Sequence, residues 1–509
     1  MTISKLSYIY IVLALFCPIP SGAQAQSREP LSPVPLIRMM PKKTEQVPAF
    51  VDNSKLKYFP PVLYQIGGSC AQASNIGYMF TYEINRLLDR SADIAANRFA
   101  YLYSWNFING GTDDGSLGID GIQLALSNGI ITENDFPTQS SPFPYRWASG
   151  YAKYLNGMKY RAKQFNSIEV RDASGIQQVK QFLYNRNETG KAGGLVTFSS
   201  RAENWRFDDY YSGPSATGYK SLLTTLATSG AHEMTIVGYD DLVEFKTSSG
   251  EISKGAFIVV NSWGTISHDN GRFYLPYWFF LQKRNNSDLS YDVTSVDVEY
   301  REPSIVFKVG VTCDSRNDLS FMIGVSGKSS DVAPLHNYQV AIANNQGGDY
   351  PMQGSNQSND IEFGFDFSDA KQRVEEMAEP NYFLTVAKNA RGEKAATVAN
   401  LTEFSVYDYR DNATNPKVYN YSFEDAASKG LIRLKDGNNI FSLPTIPIKT
   451  TSYCPVTWIA SSGQPTTSPL IFRTHDGKYV KVRFDNYDRS AGTINMKYVY
   501  NSEGGRKLK

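Results

Sequence analysis

Gln65-Ile66-Gly67-Gly68-Ser69-Cys70 is a glycine-containing turn that delivers a cysteine to the start of a helix. The helix is read from the residues beyond Cys70, because Ile76, Phe80, Ile84 and Leu87 recur near one helical face and Arg86 and Arg90 suit its C-terminal turn. Backbone N–H groups at a helix start point at a side chain placed there, and the helix dipole favours an anion. A lone cysteine is more often a buried structural residue. Placement at the helix start sets Cys70 apart from that bland reading.

Two further stretches carry matching chemistry. Ser229-Gly230-Ala231-His232-Glu233-Met234-Thr235-Ile236-Val237-Gly238-Tyr239 brings one of only four histidines into an apolar strand. Ile258-Val259-Val260-Asn261-Ser262-Trp263-Gly264 is a strand whose end presents an amide followed by a large ring. A thiol nucleophile needs a base to take and return its proton, and an imidazole needs a partner on its second nitrogen to fix tautomer and ring plane. The Asn261 carbonyl supplies such a partner without a full charge, and Trp263 shields the bond from water, although core packing alone also explains a tryptophan there.

Together these residues resemble the papain-like cysteine peptidases, in which Gln, Cys, His and Asn succeed one another in this order. The resemblance spans roughly 60–277 and includes 129–137, similar to the turn after the second helix, and Gly271-Arg272-Phe273-Tyr274, similar to the last strand. It implies Cys70 as nucleophile, His232 as general base, Asn261 as the residue orienting the imidazole, and Gln65 with the Cys70 N–H as the oxyanion hole. It also implies a thiol of lowered pKa. Gly115-Ser116 stands where the family often has a glycine pair whose backbone binds extended substrate; an ordinary loop fits these residues equally. The sequence departs from the pattern at Ala71, with no tryptophan after it, at Ala231 before the histidine, and at Gln65, one residue closer to the cysteine than usual.

Length and composition bound the rest. At 509 residues the chain exceeds one hydrophobic core, so two or three domains are expected. With 51 basic and 50 acidic residues there is no strong field to recruit nucleic acid. Few histidines and no paired ligand spacing argue against a metal, and no cofactor is implied. Lys5, the apolar run 6–16 and Ala23-Gln24-Ala25 read as a cleaved signal peptide, 1–25. The run is too short to span a bilayer and no later stretch is long enough, so a secreted or periplasmic protein, or one held at the cell surface, is expected. Phe16 stands where a lipoprotein signal carries a small residue before Cys17, which favours simple secretion. Cys313 and Cys454 fit either a disulfide or separate burial.

The Pro-rich stretch 26–54 reads as an extended leader, too short for a folded inhibitory prodomain. Residues 55–302 place helical patterns first and the strand runs 194–199, 233–239 and 256–261 later, an α+β order. The expected fold is a papain-like domain, with a helical half and a β-barrel-like half, followed by one or two all-β sandwich domains. Their expected limits are 303–411, spaced like an immunoglobulin-type sandwich, and 412–509, divided at the turn residues Asp411, Asn412, Asn415 and Pro416. The closing stretch from Asp476 to Tyr500 faintly resembles the last strands of secreted haem-binding β-proteins, which aromatic strand packing explains as well. Two functions are consistent with these residues: hydrolysis of protein or peptide substrates, or a silent papain fold that binds a surface glycan, peptide or haem through its β-domains. Oligomeric state is not legible.

Overall fold

The computed structural model describes residues 46–138, 145–186, 188, 190–208, 215–344, 346–423 and 430–445, with 36–39, and the backbone of 28–29, 470–473, 479–488 and 493–501. The signal segment, Cys17 and Cys454 lie outside the described residues. The chain divides into two units, Met1–Ile446 and Pro447–Lys509.

Cys70–Gln72, Ala73–Phe80 and Thr81–Leu87 run as one uninterrupted helix. Its middle section is wound as a π-helix, in which the Thr81 N–H reaches the Ile76 carbonyl. Every residue from Ala73 to Phe80 is buried, so this is a core helix packed on all sides. The sequence pattern that set Ile76, Phe80, Ile84 and Leu87 on one face fails at its end for this reason. The wide turn shifts the register, leaving Leu87 47% exposed while Tyr78, Met79 and Tyr82 are buried with Ile76.

Against the helix lies a ten-stranded sheet in the order Leu36–Arg38, Tyr160–Glu169, Asp292–Tyr300, Val196–Glu203, Ser229–Lys246, Ile252–Val260, Arg272–Pro276, Leu222–Thr225 and Arg206–Asp208, with Phe50–Asp52 added to Ser229–Lys246. The three expected strand runs are its central members. Ser229–Lys246 and Ile252–Val260 are antiparallel neighbours with Thr235 opposite Val260. The start of one strand therefore lies beside the end of the next, which brings His232 to Asn261. On the far face the helix Ala173–Asn185, capped by the Asp172 carboxylate accepting from the Gly175 N–H at 2.9 Å, closes a second apolar core.

The leader is not a free arm in its described parts. Arg28–Glu29 pairs parallel with His336–Gln339, Leu36–Arg38 parallel with Tyr160–Glu169, and Phe50–Asp52 antiparallel with the far part of Ser229–Lys246, opposite Gly238 to Asp240. Sheet edges suit a segment whose prolines lack donors.

Beyond 303 two sheets face each other. One contains His336–Gln339, Leu319–Ser326, Asn381–Lys388 and Gly437–Pro444; the other contains Asp360–Asp366, Ile305–Cys313, Ala399–Asp408 and Lys417–Asn420, with Ile432–Arg433 on Ala399–Asp408. Phe307 meets Tyr382 at 5.8 Å and Phe321 meets Phe365 at 5.6 Å across the gap. The boundary expected at 411/412 is thus wrong. Its turn residues close a hairpin, Asp408 pairing with Lys417, and the sandwich continues to Pro444. In the second unit, Leu470–Arg473, Tyr479–Asp488 and Thr493–Asn501 form an antiparallel three-stranded sheet. No described helix is long and apolar enough to cross a membrane.

The limit at 302/303 is not a break in packing either. One apolar core runs from the helical half into the sandwich, with Tyr151 stacked on Tyr407 at 4.7 Å and Tyr154 edge-on to Phe363 at 5.9 Å. Arg161 and Asp366, both buried, form an ion pair across this joint, and the Arg161 guanidinium also donates to the Leu126 carbonyl. Within the helical half Glu83, fully buried, accepts from Arg86 at 2.9 Å, Arg186 at 2.7 Å and the Leu195 N–H at 3.2 Å. A buried pair is weak evidence of net stabilisation, but removing one partner strands the others. Glu83→Ala is therefore expected to lower unfolding free energy by about 3–5 kcal/mol, read as a fall in urea midpoint at unchanged slope.

Candidate active site

The turn before Cys70 is fixed from outside. Gly67 has φ +55° and a Cβ there would fall 1.6 Å from Asp113 Oδ1, while the Gly68 N–H donates to the same oxygen at 3.0 Å. Only glycine fits Gly67 without displacing that carboxylate. Cys70 is a free, partly exposed thiol, and the N–H groups of Glu233, Ala71 and Cys70 itself reach its sulfur. The expected N–H donors at the helix start are present. Their effect is outweighed, however, because burial pushes the thiol above its ordinary value and the nearby Glu233 charge adds to that rise. The lowered pKa implied by the resemblance is corrected accordingly.

Helix and sheet are joined by side-chain bonds at this point. Ser74 Oγ donates to the Glu233 carbonyl at 2.8 Å, and Tyr78 Oη donates to the Asn261 carbonyl at 3.0 Å while accepting from the Leu63 N–H at 2.7 Å. His232 is buried at the strand start, and its Nε2 lies 2.8 Å from Asn261 Oδ1. That oxygen also accepts from the Ser262 N–H at 2.7 Å, so the amide orientation is set by two donors. An amide oxygen only accepts, hence Nε2 carries the proton and Nδ1 keeps its lone pair. Burial lowers the His232 pKa, with the Asn261 bond acting in the opposite sense. The imidazole is thereby kept in its neutral form, with the Nδ1 lone pair open to a proton.

Trp263 stacks on the His232 ring at 4.7 Å and 24°. Trp205, which sequence reasoning missed, stands edge-on to both, 6.3 Å from His232 and 5.6 Å from Trp263. His268, half-buried on the loop after Trp263, lies against this aromatic group, 4.2 Å from Phe207 and 6.4 Å from Trp205. Tyr78, Ser262 and Asp113 were also missed. An aromatic or hydroxyl in a core segment reads as packing, and the only signal for Tyr78 was its burial on what should have been the wrong helix face.

Gln65 is clamped to the same strand end. Its N–H donates to the Ser262 carbonyl at 2.7 Å, its Oε1 accepts from Ser262 Oγ at 2.6 Å, and its Nε2 donates to the Gly67 carbonyl at 2.9 Å. One amide hydrogen remains for another acceptor. Across from Cys70, a Cβ on exposed Gly115 would lie 3.9 Å from the Gly68 carbonyl, so this residue borders the cysteine turn. Ser116 is tied back to the helix, its Oγ accepting from Gln72 Nε2 at 3.0 Å.

The sequence matches no protein family and no curated protein. Among solved structures the chain is similar to xylellain, a cysteine protease from Xylella fastidiosa, at 18% identity over 54% of this chain and 99% of that one, with a TM-score of 0.35. It is similar to procathepsin B S9 from Trypanosoma congolense at 11% identity, covering 52% and 83% with a TM-score of 0.35. The proform of Amb a 11, a cysteine protease of ragweed pollen, matches at 16% identity over 50% and 66%, with a TM-score of 0.33. These neighbours are cysteine proteases, distant in every case.

Two outcomes are expected from the geometry. Alkylation of Cys70 by iodoacetamide is expected to keep accelerating as pH rises past about 9, the ordinary thiol value, since a raised pKa leaves the thiol protonated at neutral pH; a plateau below about pH 7 would contradict it. Tyr78→Phe leaves the Leu63 N–H and Asn261 carbonyl without their partner and is expected to cost about 1–3 kcal/mol in urea unfolding.

Proposed function

We propose that this chain is a cysteine peptidase that cleaves protein or peptide substrates by acyl transfer. The observation that carries the reading is the His232 Nε2 to Asn261 Oδ1 bond of 2.8 Å on a buried imidazole, with the backbone N–H of the next residue, Glu233, reaching the sulfur of Cys70 at a helix start. Cys70 Sγ attacks the substrate carbonyl carbon as its proton passes to His232 Nδ1. The raised thiol and lowered imidazole pKa favour a neutral pair at rest, so proton transfer accompanies attack and does not precede it. The Cys70 N–H and the remaining amide hydrogen of Gln65 receive the oxyanion. The C–N bond then breaks, the Nδ1 proton leaves with the amine, and water hydrolyses the thioester by the same base.

Asn261 holds the ring, Trp263 and Trp205 keep water from the Nε2 bond, and Gly115 and Ser116 offer backbone to an extended peptide. The apolar run 6–16, followed by Ala23-Gln24-Ala25, supports delivery outside the cytoplasm.

Purified chain assayed on a broad peptide library under reducing conditions is expected to release fragments, and Cys70→Ala to release none. His232→Ala is expected to lose about 10²–10⁴-fold in rate, the usual contribution of a general base. Cleavage that survives Cys70→Ala would sink the assignment, and a wild-type chain that binds but never cleaves would point to a silent papain fold.

A further inference from the structure

The loop 109–116 is braced from two sides. On one side it meets the cysteine turn. Asp113 Oδ1 accepts from the Gly68 N–H at 3.0 Å, and a Cβ on Gly68 would fall 2.7 Å from the Asp113 carbonyl oxygen, so turn and loop touch backbone to backbone. The Gly67 carbonyl of that turn receives Gln65 Nε2 at 2.9 Å. The Gln65 amide is thus pinned at Oε1 by Ser262 and at Nε2 by Gly67, and the second pin moves with the turn. Its remaining hydrogen, the one offered to the oxyanion, points where these two bonds set it.

On the other side the loop rests on the sandwich. Gly111 has φ +76°, and a Cβ there would fall 2.5 Å from the Gly347 carbonyl oxygen. Tyr350, between the strands His336–Gln339 and Asp360–Asp366, donates from Oη to the Gly111 carbonyl at 3.1 Å. Its ring stacks on Tyr145 at 5.6 Å and 19° and lies 5.7 Å from the Arg316 guanidinium. Arg316 is buried and donates to the Gly347 and Tyr145 carbonyls, each at 2.8 Å, which locks the sandwich to the helical half beside Tyr350.

We propose that Asp113 and Tyr350 are positioning residues for the Gln65 amide, Asp113 from the loop and Tyr350 from the sandwich behind it, an inference that rests on the peptidase reading. The sandwich is then a working part of the active site. A shift of its 347–350 segment passes through Gly111 and Asp113 to Gly67, and from there to the oxyanion donor. The sulfur and the imidazole are anchored separately, by the bonds of Ser74 and Tyr78 between helix and sheet and by Asn261.

That separation supplies the test. Peptide cleavage needs thiol and oxyanion donor together, whereas alkylation of Cys70 by iodoacetamide attacks a tetrahedral carbon, forms no oxyanion and reads the thiol alone. Asp113→Ala is expected to lower kcat about 10- to 100-fold, and Tyr350→Phe, which keeps the stacked ring, about 3- to 10-fold, with KM and the alkylation rate unchanged. Asp113→Asn, which keeps an acceptor for the Gly68 N–H, is expected to restore most of the loss. Unchanged kcat in both Asp113→Ala and Tyr350→Phe, or cleavage and alkylation falling in parallel, would overturn the positioning role and leave the peptidase. Hydrogen exchange at the amides of 65–70 reads the same brace without turnover and is expected to quicken in Asp113→Ala and Tyr350→Phe. If the wild-type chain cleaves nothing, the peptidase reading fails; faster exchange in these variants would then still uphold the brace, and unchanged exchange would overturn it too.

Discussion

The site depends on one seating, that of the helix beginning at Cys70 against the strands that carry His232 and Asn261. Apolar contact alone would let a helix slide on a sheet, because burial is indifferent to direction. Polar side chains remove that freedom here. Ser74 bonds the Glu233 carbonyl, Asn75 bonds its carboxylate, and Tyr78 bonds the Asn261 carbonyl, each from inside a buried face where an unmade bond is costly. The sulfur, the imidazole and the orienting amide lie on separate elements, and these bonds fix the elements relative to one another.

Electrostatics at the cysteine is a contest between two effects. Backbone N–H groups favour a thiolate, while desolvation and the neighbouring carboxylate oppose it, and the second pair wins. The histidine is treated in the complementary way, buried under Trp263 and Trp205 and held neutral. A thiol kept protonated at neutral pH is less exposed to adventitious oxidation, which attacks the thiolate form.

The candidate site was legible in the sequence where residues that meet are written as short local patterns. Gln65 through Cys70, His232 and Asn261-Ser262-Trp263 are short patterns, and antiparallel pairing of the two strands accounts for the histidine and asparagine meeting. What stayed hidden depends on distant partners. Asp113 is an ordinary loop carboxylate until Gly67 and Gly68 are folded against it, and Trp205 gains its place from Trp263 and Phe273. The turn after Asp411 carried the right residues for a break but was used for a hairpin. The thiol pKa was misjudged because local N–H donors can be read from a helix start, whereas the surrounding desolvation cannot.

The wide turn between Ala73 and Phe80 makes the length of that segment as significant as its composition. Each residue of an ordinary helix advances about 100° around the axis, so deleting one residue there would restore regular winding and swing Cys70 away from the side chains that anchor the helix below it. Point substitutions in the segment alter packing locally, but an insertion or deletion re-aims Cys70. A chain lacking the extra residue would have to anchor this helix by a different set of contacts.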